Sequence, residues 1–91
     1  MNIKTKSGFA IDVNPKKVRD WRFISILAKM DKCKNEAEQI DYLKTAVEML
    51  LGEKGEQKLC RHVEKDGVAD ALDVISEFRE IISICGDEAK K

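Results

Sequence analysis

A mainly helical α+β fold, an N-terminal β-hairpin followed by about four helices in a compact bundle, is what three observations on this chain predict. Apolar residues alternate at odd positions from Ile3 to Val13. Beyond Pro15 they recur instead at three- and four-residue steps. Capping and stop residues cut that second region into separate helical runs.

Ile3, Thr5, Phe9, Ile11 and Val13 would line one buried strand face, with Lys4, Lys6 and Asp12 turned outward. Ser7-Gly8 between the two runs reads as a tight two-residue loop, so residues 1–13 form the hairpin. Asn14 can accept from the free amides of a helix start, and Pro15 at the first helical position gives up no needed donor. The first helix is expected over 15–31. Val18, Trp21, Ile24, Leu27 and Ala28 share one face of it, widened by Phe23, Ile26 and Met30. Asn35 with Glu38 three residues on resembles a capping box and opens a second helix over 36–51. Ile40, Leu43, Val47 and Leu50 mark its inner face, Tyr42 and Met49 flank it, and Gly52 is a left-handed stop. A shorter, more polar helix over 54–65 carries Leu59 and Val63 one turn apart. Gly55 weakens its start, and Asp66-Gly67 closes it. The last helix, 68–85, aligns Val68, Leu72, Ile75, Phe78 and Ile82. Gly86 ends it, leaving 86–91 as a mobile tail. No segment repeats another, and residues 1–91 read as a single domain.

Composition narrows the function. The chain is 91 residues long, 43% hydrophobic and 37% charged, which suits a small globular domain with solvated outer helix faces. No apolar run approaches the roughly 20 residues that cross a membrane, and Met1 to Lys6 lacks the apolar core of a signal peptide, so a cytoplasmic protein is expected. Cys33, Cys60 and Cys85 are odd in number and widely spaced, the pattern of reduced thiols rather than a disulfide framework. Net charge is zero, but residues 1–34 hold nine Lys and Arg against three Asp, and residues 35–91 hold eight against fourteen acids. Such a charge dipole can attract within one molecule or between copies head to tail, making a homo-oligomer one expectation.

Catalytic and cofactor chemistry find little support. Cys60 and His62 point about 200° apart on a helix, so Cys33, Cys60, His62 and Cys85 do not form a metal site by spacing. His62 is the one histidine available as a base, and Gly52 and Gly55 lack the Lys-Ser/Thr of a phosphate loop. The chain is therefore read as non-enzymatic, with no catalytic, cofactor-binding or metal residues. A helix-turn-helix around Asp66-Gly67 would present an acidic stripe, Asp70, Asp73, Glu77 and Glu80, to phosphate, so nucleic acid is not expected as a partner. That stripe is the candidate docking surface for a basic partner. Trp21 and Phe23 are the other candidate contacts. Two residues apart, they cannot both point inward; Trp21 is the better core anchor, and one of the pair is left to face the hairpin, a second subunit or a partner.

The order of these parts resembles a family of short tail assembly chaperones from tailed phages and prophages of Gram-positive bacteria. The similar features are the extended segment Ile3 to Val13, Asp20-Trp21-Arg22-Phe23-Ile24 with Leu27-Ala28 behind it, and Asp31 where that helix closes. Met49-Leu50-Leu51-Gly52-Glu53, Asp66-Gly67-Val68 and Ile81-Ile82 follow in order. The resemblance implies a chaperone that acts in the bacterial host, binds the aggregation-prone tape measure protein and helps tail tube protein assemble around it. It also implies a longer form made by ribosomal frameshifting, for which an A-rich run encoding Lys90-Lys91 would serve. Other readings by residue content are a different phage morphogenesis module, such as a head–tail joining factor, and a small DNA-binding regulator.

Overall fold

The computed structural model describes residues 1–89. Strands β1 (Asn2–Lys4) and β2 (Ala10–Asp12) pair antiparallel, with Asn2 opposite Asp12, Ile3 opposite Ile11 and Lys4 opposite Ala10. Thr5 N donates to Phe9 O at 2.9 Å, so the loop is Lys6-Ser7-Gly8, three residues rather than the expected two. The alternation itself demands this. Opposed residues of an antiparallel pair share a face, so strands that both bury their odd positions need a loop of odd length. A Ser7-Gly8 loop would have set Ile3 against Asp12. The register found gives one buried face of Ile3, Thr5, Phe9, Ile11 and Val13.

The helix expected over 15–31 is two pieces. Asn14 caps a 3-10 turn, Pro15–Arg19, its Oδ1 accepting from Lys16 N at 3.1 Å. Asp20 then turns extended (φ −63°, ψ 129°), and its carboxylate accepts from Arg22 N at 2.8 Å, capping a fresh helix, α1 (Trp21–Lys32). Asn35 caps α2 (Glu36–Val63), accepting from Ala37 N and Glu38 N. Glu38 does not close the expected box; its carboxylate accepts from the Cys33 thiol at 3.2 Å.

The helices expected over 36–51 and 54–65 are one element, redirected at Gly52, so the described residues form three α-helices where about four were expected. Gly52 does take a positive φ (φ 78°, ψ 168°), in a region that other residues occupy only under strain, but the chain re-enters helix at once. Gly55 proves to be a packing position. A methyl there would lie 2.9 Å from Ile11 Cδ1 and 2.7 Å from Leu51 Cβ.

α3 (Ala71–Ala89) starts three residues later than expected and runs through Gly86. Lys65 and Val68 exchange both backbone hydrogen bonds at 2.9 Å around Asp66-Gly67, which holds Val68 outside the helix. Asp70 Oδ1 then accepts from Leu72 N at 2.8 Å and caps the helix start. A helical glycine costs about 1 kcal/mol relative to alanine, too little for Gly86 to end a helix anchored by buried Cys85. Residues 86–89 of the expected tail are thus helical, and 90–91 lie outside the described residues.

The core joins the hairpin face to Phe23, Leu50, Leu59, Phe78, Ile81 and Cys85. α1 packs on α2, while β1 and the 3-10 turn pack on α3.

Candidate functional surfaces

The break at Asp20 sets the phase of α1 and with it the roles of its aromatics. Counted from Trp21, positions 23, 26, 27 and 30 fall on one side: Phe23, Ile26 and Leu27 pack in or against the core, and Met30 is half-buried beyond them. Phe23 is only 1% exposed and meets the Phe78 ring edge-on, centroids 6.4 Å apart. Trp21 is 81% exposed, with Ile24 and Ala28 following it on the outer side. The expected roles are therefore reversed: Phe23 is the anchor and offers no surface to a partner, whereas Trp21 stands in solvent. Val18 does not continue the Trp21 face as expected, because the extended Asp20 between them breaks the helical phase. At the head of α1 the Arg22 guanidinium beside Asp20 holds its carboxyl below the ordinary 3.8.

The acidic stripe is divided by the hairpin. Lys6 N donates to Glu80 Oε2 at 2.6 Å, and Ser7 Oγ donates to Glu77 Oε1 at 2.5 Å. Asp70 is the α3 cap, which leaves Asp73 exposed on that face without such a task. Glu77 and Glu80 thus hold the hairpin loop onto α3 instead of forming a free docking row. Ser7 Oγ also lies 2.9 Å from His62 Nε2 and 3.1 Å from Thr5 Oγ1. Its one proton goes to the Glu77 carboxylate, which accepts only, so His62 Nε2 donates to Ser7. In this arrangement the acid sits on the serine rather than behind the histidine, unlike a Ser-His-Asp triad. The cluster bridges the hairpin to α2 and α3, and Phe9 packs on the His62 ring at 5.2 Å. A polar recess of about 210 Å³ lies beside it, lined by Lys65, Asp73 and Ser76 among others.

A larger feature was missed in the sequence. α1, the first half of α2 and α3 enclose an open groove of about 240 Å³, walled by Leu27, Met30, Ile40, Leu43, Ile75 and Ile82. Asp31, Gln39 and Arg79 give it polar edges. Ile40 shares the expected inner face of Leu43, Val47 and Leu50, but it is 59% exposed because at its end of α2 that face lines the open groove, while Val47 and Leu50 further on are buried in the core. Likewise the buried line of α3 is Phe78, Ile81 and Cys85, which leaves Ile75 and Ile82 half-buried at the groove. The signal was present in the breadth of the apolar arcs, each wider than one neighbour can cover.

Cys33, Cys60 and Cys85 are free thiols. Partial burial first and the Glu38 carboxylate second push Cys33 above the ordinary 9.0, and burial pushes Cys85 up as well, so both stay protonated at neutral pH. Among the described residues no three His, Cys, Asp or Glu side chains gather as a metal site, and no helix is long and apolar enough to cross a membrane. Comparison of the chain with known protein families, characterised proteins and solved structures finds no match.

Proposed function

We infer that the chain is a tail assembly chaperone, which holds apolar helical segments of the tape measure protein and assists assembly of the tail tube around it. The observation that carries this reading is the groove of Leu27, Met30, Ile40, Leu43, Ile75 and Ile82. Three helices wall an open apolar channel, which suits an amphipathic helix laid in with its own apolar face down. The ordered motifs from Ile3 to Ile82 supply the family to which the groove is referred.

Co-expression with the tape measure protein encoded beside this gene tests the reading. The client is expected to become soluble and to co-purify with the chain, and Ile40→Glu should abolish both while the variant keeps its helical circular dichroism. A client that aggregates equally with and without the wild-type chain overturns the reading.

A further inference from the structure

Two further apolar patches lie outside the groove, and their surroundings carry opposite charge. Trp21 and Ile24, the latter 46% exposed, lie one turn apart on the outer side of α1. The exposed cations Lys16, Lys17, Arg19, Arg22, Lys29 and Lys32 belong to the same stretch. Between residues 16 and 34 the only acids are Asp20 and Asp31, and Asp20 is already paired with Arg22 at 3.3 Å. The second patch stands at the start of α3, where Val68 and Leu72 are 61% and 75% exposed. Exposed Glu64, Asp66, Asp70 and Asp73 surround it in sequence, with Lys65 the single cation between 64 and 73.

Neither patch can serve itself well. Two Trp21 patches face to face would bring cations together, and two Leu72 patches would bring carboxylates together; such like-charge juxtaposition opposes association. The unlike pairing covers apolar surface on both sides and sets cations against carboxylates. We propose that the Trp21–Ile24 patch of one copy docks on the Val68–Leu72 patch of a second copy. The contact is heterologous, so every copy keeps one patch of each kind free to continue, giving a ring if the rotation closes and an open chain if it does not. Few side chains take part, which places the contact among the small, exchanging interfaces rather than the permanent ones. Its charges steer encounter and lose effect as salt rises. Nothing in it depends on the chaperone reading.

Trp21 is the only tryptophan, so its fluorescence reports the contact directly. Sedimentation velocity and tryptophan emission, each measured over a concentration series, should show growth in size and a blue shift together, both reduced by added salt. Ile24→Glu and Leu72→Lys, at exposed positions that leave the fold intact by circular dichroism, should each remain monomeric where the wild type associates. Mixed in equal amounts they should form a heterodimer that grows no further, because each variant retains the patch that the other has lost. A wild type that stays monomeric at every concentration and salt overturns the proposal. So does association of either single variant to the wild-type extent, or a mixture that yields only monomers while the wild type associates.

Discussion

Phe23 and Trp21 are two residues apart and differ in what their removal takes away. Phe23→Ala opens a cavity against Phe78 and is expected to cost about 3–5 kcal/mol, whereas Trp21→Ala should stay within about 0.5 kcal/mol. Urea unfolding followed by circular dichroism measures both, and equal losses would contradict the orientation of α1. At Gly55 the issue is room rather than cavity. Gly55→Ala drives a methyl into Ile11 and should cost about 1–3 kcal/mol. Ile11→Val removes the Cδ1 atom that the methyl meets, so the double variant should recover part of that loss in a double-mutant cycle. Glu56 offers a test by pH. Partial burial, then the adjoining Glu48 carboxylate, raises it above the ordinary 4.5, so the folded state holds this proton more tightly than the unfolded chain does. Its contribution favours folding below the ordinary value and is lost as pH rises through the raised one. Glu56→Gln should therefore raise the melting temperature at neutral pH and lose that advantage below the ordinary 4.5; an advantage constant with pH would sink the assignment.

Among the elements, α2 and α3 depend on single residues at their bends and ends. Gly52→Ala forces a side chain into a backbone region that costs about 1–3 kcal/mol. Asp70→Ala removes the α3 cap at about 1 kcal/mol, and Asp70→Asn should keep most of it. Guanidinium denaturation of the three variants ranks them, and an Asn variant as weak as the Ala variant would exclude capping as Asp70's role. The hairpin face and the positive φ at Gly52 were legible in the sequence, because period-two burial and glycine's backbone freedom are local properties. The phase of α1 was not. Asn14 and Asp20 are both good caps six residues apart, and a stripe counted from Val18 crosses the break between them. Both 21, 24, 28 and 23, 26, 27, 30 satisfy helical spacing; the choice lies with Phe78, far along the chain. Of the acidic stripe, Asp73, Glu77 and Glu80 lie within α3 while Asp70 stands before it as the cap, and the hairpin loop that claims Glu77 and Glu80 lies some seventy positions away, beyond the reach of any local pattern. The groove was hidden for a related reason, since its walls come from three helices that only the tertiary packing brings together.

For the whole molecule, the lengths decide the shape. Its principal extents are 39 × 32 × 20 Å, yet a straight helix of the 28 residues in α2 would measure about 42 Å. The bend at Gly52 is what lets one helix serve two neighbourhoods: Gln39, Ile40 and Leu43 before it look onto the groove, while Gly55 and His62 beyond it meet the hairpin. Glu77→Gln combined with Glu80→Gln should accelerate amide exchange in the hairpin loop and leave α1 protected; uniform acceleration would mean that the hairpin is no separate unit. Gly52 is thereby expected to divide cooperativity as well as length. An occupant wedging α1 away from residues 36–51 would do its work against one half of the fold, while the half stapled to the hairpin remains as a fixed seat. The longest helix is built as a joint, one arm facing the groove and the other seated on the hairpin.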